Sequence, residues 1–534
     1  RSGCFIMDLS QLGWKSVFDL VRGSFVFGVV IVLSACASTA DLLEQDDVIT
    51  PSVESVVSEA EPELVPPLPL TSELVYYILT AEMAGQRGEV GLAAELYNKA
   101  ANSIESPALA GRSTQIANYT RDKGRINRAL ERWIEVDPTD ADVYIMQAPF
   151  LMIQNDLDGV VKSVNTAVEL APEKSPQFLA QIADNLSEFT KPEQALSVME
   201  KFKLYQQHDV EALFVYGRLA EFFKQYDKAL VAVEAVLAEQ AEREDALILK
   251  AQVLQRLGKG DKAIALLKSR SAKDEASDDL LFSYAKLLGE NNKSEQARTI
   301  FERLLTNKPD NEEILFALGL LALEDKNGKQ AKYYFNKLVT LGDSGKQASY
   351  FMGLSEELND NADAALIWFA SVPAESSRFE AAQSRYINLL ADKGKIDKAR
   401  LHLKLLRTEH PSRTVQYYLY EAAFLRERDQ SQAAFDVYTE ALEGFPNNIE
   451  LLYGRAMTAE SLHRLSVLED DLRQILKYDP DNHTVLNALG YTLTDRTDRH
   501  QEALEMIEKA LSFKPEDPFY LDSLGWVYYR LGNL

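Results

Sequence analysis

The chain has 534 residues and a formal net charge of −25, from 82 acidic against 57 basic residues. A surface of that sign repels phosphate backbones, and no Lys/Arg run reverses it locally, so nucleic acid is excluded as a partner class. Apolar content of 46% and charged content of 26% suit a folded chain with a large core, and the length calls for several domains or one extended array.

Two cysteines cannot build a disulfide framework. Cys4 precedes Met7, the expected true start, so residues 1–6 read as upstream and Cys36 as the remaining thiol. Lys15 and Arg22 make a mildly basic opening around Asp19. The apolar run "SFVFGVVIVLSA" (24–35) follows. It has the length of a secretory h-region and falls short of the about 20 apolar residues a spanning helix needs.

That run closes on Leu33-Ser34-Ala35-Cys36. The tetrapeptide resembles the lipobox of bacterial lipoprotein signals: an aliphatic residue, two small residues that fit narrow peptidase subsites, then the cysteine that is alkylated. The alternative is a buried cysteine at a helix end. The resemblance implies a signal peptide over 1–35 and a mature N-terminus at Cys36. It also implies a covalent lipid, such as palmitate, on that residue. Ala37, where an Asp would imply inner-membrane retention, implies the periplasmic face of the outer membrane.

Residues 36–72 are acidic and Pro-rich without a helical period, which predicts a disordered tether. As a flexible coil it would reach roughly 30–35 Å.

From residue 73 to 534 the pattern is helical and repeats. Ala195, Ala229, Ala263, Ala297, Ala331, Ala365 and Ala399 stand 34 residues apart. Twelve positions before them lie Ala183, Gly217, Ala251, Ala285, Gly319 and Gly353, with Ile387 the departure. Pro138 and Pro172, then Pro446 and Pro480, keep the same interval. Small residues at two fixed slots let two helices cross closely, and Pro ends the second of them. Large residues such as Leu318 and Phe335 fill the core between.

"LFALGLLA" (315–322), with Ala331 and Phe335 after it, and "LNALGYTL" and "LDSLGWVY" further on, resemble the tetratricopeptide repeat. The resemblance implies an all-α fold, a right-handed superhelical solenoid of antiparallel helix pairs. About 13 units are expected, with Val160 and Leu468 in the second alanine slot of two degenerate ones. A half unit over 518–534 ends without a polar cap, which reads as truncation of the chain.

No catalytic or metal-binding pattern accompanies the repeats. The six histidines form no HExxH pair, and solvent-facing or turn positions are expected for them, His410 and His483 in turns. "GDSGK" (342–346) lacks phosphate-loop spacing and falls in an inter-unit turn. The expectation is therefore no enzyme, no metal and no cofactor beyond the lipid on Cys36.

In the resembled family the fifth and ninth positions of each first helix often face a concave groove. Here those positions hold Phe214, Ile248, Phe282, Phe316 and Tyr350, and Arg218, Gln252, Lys286, Leu320 and Leu354. They form an apolar and aromatic stripe with basic character at one end, suited to an extended or helical peptide. The alternative is that the same rings are packed between neighbouring helices. A Lys/Asn/Arg carboxylate clamp is not expected, because Asn388 and Arg385 lack lysines in adjacent units.

The whole resembles the large tetratricopeptide lipoproteins of Gram-negative bacteria. That implies an outer-membrane-anchored periplasmic scaffold for protein–protein interactions, in envelope assembly. Two other readings stay open: an accessory subunit or a truncated repeat-containing enzyme, and a mechanical spacer without a groove ligand.

Overall fold

The computed structural model describes residues 71–189, 191–273, 275–342 and 347–533. Leu33, Ser34, Ala35 and Cys36, the signal and nearly all of the tether lie outside them. Among the described residues there are 28 α-helices and no strand. They run as antiparallel pairs. Val210–Phe222 pairs with Tyr226–Glu239, Glu244–Arg256 with Gly260–Ser271, and Asp278–Glu290 with Ser294–Asn307.

The first helix spans Ser72–Gln86, and the Thr71 hydroxyl accepts from the Leu74 N–H at 3.1 Å as its cap. Helix thus starts where the tether was expected to end, because Thr71 and Ser72 supply an N-cap and a first turn.

The repeat period is written into the packing. All seven alanines of the series from Ala195 to Ala399 are 0% exposed, each at the point where its second helix meets the rest of its unit. Val160 and Leu468, which replace Ala in that slot, are buried too, as is Ile387 in the other slot. The turn inside each pair has its own period. Lys224, Gly258, Asn292, Lys326, Asp360 and Gly394 all have positive φ, between 56° and 75°. One left-handed residue reverses the chain between the helices. Gly342 also takes a left-handed conformation, as the cap of Gly328–Leu341, while 343–346 lie outside the described residues.

The chain divides into two compact units, one ending at Leu321 and one starting at Ala322. In the first, a continuous apolar core runs from Ala141 to Val253. In the second, a core runs from Leu366 to Val527. In each, layers of Leu, Val and Phe alternate with the small slots, so no helix pair buries its apolar face without a neighbour.

Candidate functional site

In the first unit the first helices of consecutive pairs lie side by side. Val210–Phe222 carries Phe214 and Arg218, Glu244–Arg256 carries Ile248 and Gln252, and Asp278–Glu290 carries Phe282 and Lys286. A spacing of four puts each pair of residues on one face of its helix. Phe316 occupies the same position on Glu312–Glu324. Arg218 is exposed, and the other six, Phe316 included, are half-buried. The structure thus brings the stripe together over Phe214, Ile248 and Phe282.

The rings are not bare. The Arg243 guanidinium lies 4.4 Å from the Phe214 ring centroid. It donates to Glu211 at 2.6 and 3.0 Å and to Asp245 at 2.8 and 3.1 Å. Asp245 first, then Glu211, holds that guanidinium firmly protonated. Phe282 meets the buried Phe301 edge-on, centroids 5.4 Å apart. Both aromatics are therefore half-buried, with part of each ring taken up by packing.

Sequence reasoning passed over Arg243. The visible signal was its slot: 34 positions on either side stand Asp209 and Ser277, whose side chains cap their helices. An Arg cannot accept that bond, so it points elsewhere, here onto Phe214.

Tyr350 belongs to the second unit and differs from the others. It is 4% exposed, 6.0 Å from Phe369 and beneath Arg378 at 5.8 Å. Burial raises its pKa. Its ring is part of the packing of that unit and is not presented outward as an anchor.

Arg385 and Asn388 are both engaged within the second unit. Arg385 pairs with Glu357 at 3.2 Å, and burial pushes the Glu357 carboxyl up against that pull. Asn388 donates to the Tyr420 hydroxyl at 3.1 Å and accepts from Arg428 at 3.2 Å. Ser384 lies 3.0 Å from the same hydroxyl. These residues form a half-buried polar ladder across three successive first helices, Ala348–Leu358, Phe379–Asp392 and Thr414–Arg426, a feature the repeat pattern does not announce.

His208 and His463 are exposed in turns, with φ 61° and 57°, whereas His402 and His483 depart from a solvent-facing reading. His402 Nε2 is 2.5 Å from Gln383 Oε1, its ring 4.6 Å from Tyr386, and burial pushes its pKa down. His483 opens the helix His483–Arg496, not a turn, and its Nδ1 is 2.7 Å from the Tyr520 hydroxyl. The partners of His402 come from the first helix of its own pair, Phe379–Asp392, and that of His483 from the next first helix, Pro518–Leu531. His410 does end its helix, and it packs against Phe379 at 5.2 Å. Among the described residues no three His, Cys, Asp or Glu side chains gather as a metal-ligand set.

A family model for the N-terminal tetratricopeptide-repeat region of Psidin matches residues 219–325, which span the stripe from Ile248 to Phe316. The TPR repeat-containing protein PA4667 of Pseudomonas aeruginosa is 43% identical over 180 residues, 34% of this chain and 30% of that protein. The helix pairs of this chain are tetratricopeptide repeats.

A second relative, bacteriophage adsorption protein A of Escherichia coli, is 35% identical over 80 residues. That match covers 15% of this chain and 8% of the relative. Both alignments thus span less than a third of the relatives' own length. Among solved structures, a tetratricopeptide repeat protein from Parabacteroides merdae shares 15% identity at a TM-score of 0.36, covering 47% of this chain and 99% of that one. Tetratricopeptide repeats generally bind protein partners and work as scaffolds without catalysis of their own.

Proposed function

We propose that this tetratricopeptide-repeat protein is a periplasmic scaffold, held at the outer membrane by lipid on Cys36, that takes a protein partner along the first helices of its first unit. The observation that carries the reading is the row of Phe214, Ile248, Phe282 and Phe316. These are apolar, half-buried and repeated at one helical position. Large apolar side chains that are only half-buried are the usual anchors of a peptide-binding surface. Gln252 and Lys286, one turn further along, supply polar groups beside them.

The membrane part of the proposal rests on Leu33-Ser34-Ala35-Cys36 and on Ala37. The acidic, Pro-rich segment that follows would let the repeats stand off the bilayer.

Two experiments test it. A photo-crosslinking amino acid at position 248 should give one discrete protein adduct in cells, and the same probe at Thr299, exposed on a second helix, should give none. Adducts of equal yield at both positions would remove the groove. For the anchor, Cys36→Ser should abolish incorporation of labelled palmitate and release the protein from the outer-membrane fraction. Unchanged labelling would sink the lipid assignment and leave the groove standing.

A further inference from the structure

Near the start of the first unit, three helices enclose a cavity of about 180 Å³: Val90–Ser103, Pro107–Tyr119 and Lys123–Val136. Its apolar wall is made of Ala94, Ala117 and Ala129, and these small residues leave the volume open. The rest of the lining is polar and includes Arg125, Arg128 and Ser113.

Ser113 is 1% exposed, and its hydroxyl has no hydrogen-bond partner. The neighbouring Thr114 shows the ordinary alternative, donating back to the Ala110 carbonyl at 3.0 Å. A buried hydroxyl left unpaired is costly, so one facing a cavity marks a place where something else completes the bond.

The two arginines are placed for a ligand. Arg125 Nη1 donates to the Gly91 carbonyl at 3.2 Å, and a Cβ on Gly91 would stand 2.9 Å from that nitrogen. Gly91 thus admits the guanidinium against the backbone and fixes it. Among the described residues neither Arg125 nor Arg128 closes an ion pair, although the Asp122 carboxylate acts on both, and Glu95 on Arg125, from further away. The acid in the lining, Glu95, is held by Lys99 at 3.0 Å, which offsets its charge.

We propose that this cavity binds a small organic carboxylate, held by Arg125 and Arg128, with the Ser113 hydroxyl donating to the same ligand. Guanidinium groups take carboxylates through paired charge-assisted hydrogen bonds. The alanine wall favours an acid with a short hydrocarbon chain over inorganic phosphate. The volume is below that of a drug-sized site and close to that of a benzene-binding cavity, which limits the ligand to roughly six to ten heavy atoms. A free dicarboxylic acid meets that description, and so does a Glu side chain of a partner. The site is separate from the first-helix row and does not depend on the scaffold reading.

The test is calorimetric titration of the full chain with succinate, with an acetylated Gly-Glu-Gly amide, and with inorganic phosphate. Saturable binding of succinate or of the peptide is expected, and which of the two binds tells a free acid from a partner side chain. Arg128→Gln, an exposed substitution that should fold normally, is expected to weaken binding at least about tenfold, the loss of one charge-assisted hydrogen bond. Ala117→Leu should fill the cavity and remove binding. The proposal is overturned if neither carboxylate binds the wild type, if Arg128→Gln binds as well as wild type, or if phosphate binds as tightly as succinate.

Discussion

The Arg243 guanidinium sits over the face of the Phe214 ring, 4.4 Å from its centroid, and Glu211 and Asp245 hold it there. A side chain from the turn before one repeat thereby closes over the first helix of the preceding repeat. The Arg243 side chain is only 16% exposed, so its pairs are partly shielded from solvent. Arg243→Ala is expected to cost about 2 kcal/mol, through the lost cation–π contact and the lost charge-assisted bonds. Arg243→Lys should recover less than half, because an ammonium cannot present a planar fork to two carboxylates. Urea midpoints of the three proteins decide it, and full recovery by Lys would mean that charge alone matters.

Gly217 and Gly353 fill the same slot of their repeats and should respond oppositely to alanine. A Cβ on Gly217 would lie 3.5 Å from Leu249 and 3.6 Å from Ala232, which is ordinary contact. Gly217→Ala should therefore stabilise by up to about 1 kcal/mol through helix propensity. A Cβ on Gly353 would lie 2.4 Å from the ring of Phe369, which is fully buried and cannot move aside. Gly353→Ala should destabilise by about 1–3 kcal/mol. Thermal melts of the two variants should shift in opposite directions.

The left-handed turn residues give a graded prediction. Lys224 has φ 61° and Asn292 φ 58°, where Gly258 has φ 75°. A long side chain in that conformation carries a steric penalty that Gly lacks and that Asn feels less. Lys224→Gly is expected to gain roughly 0.5–1 kcal/mol, and Asn292→Gly less than that. Equal gains at both sites would show that the turn does not hold the strain.

Glu421 is buried with its side chain 3% exposed, accepting from Arg400 at 2.8 Å and Arg407 at 2.5 Å. Arg407 also lies 4.1 Å from the Tyr418 ring centroid. Glu421→Gln leaves the arginines without their counter-charge, and a loss of about 3–5 kcal/mol is expected. Replacing Glu421 with Leu and Arg407 with Met together should recover much of it, since an apolar pair needs no desolvated charge. A double variant as unstable as the single one would argue against this.

Acid stability should depend on Glu469. It accepts from Arg499 at 2.7 Å and from Arg473 at 2.8 Å, and these hold its carboxyl well down, to about 2 from 4.5. A folded-state pKa below the unfolded one adds stability that is complete above the unfolded value. That stability fades as pH falls from about 4.5 towards 2. The contribution is about 2–3 kcal/mol at neutral pH, at the lower end because both arginines are partly solvated. Wild type and Glu469→Gln should differ by that amount at pH 6 and converge by pH 2–3. A difference that does not change with pH would assign the effect to packing.

How far the sequence reached can be judged from particular residues. The alanine and glycine slots showed the helix pairs and their register, because a close helix crossing demands a small side chain at a fixed position. That Phe214, Ile248, Phe282 and Phe316 share one helical position was legible too, because the 34-residue period fixes where each side chain falls on its helix. Arg243 was not, since its role depends on what an inter-repeat turn aims at. Nor was the burial of Tyr350, which holds the same repeat position as Phe316 but lies beneath Arg378. Ser113 gives no sign in the sequence that its hydroxyl faces a cavity.

By itself, the sequence determined that this chain folds as paired helices with a 34-residue period. That period is local: helix length, one reversing residue and two small slots recur whatever the neighbours are. Only the tertiary structure decided which members of a slot are open and which are closed. Gly217 tolerates a methyl group and Gly353 does not, Phe316 stays half-exposed and Tyr350 does not. The physical reason is that each surface is finished by side chains from the adjoining helices: Phe369 crowds Gly353 where the same slot in the repeat of Gly217 holds the smaller Val233, and Arg378, which lies outside the repeating positions, covers Tyr350.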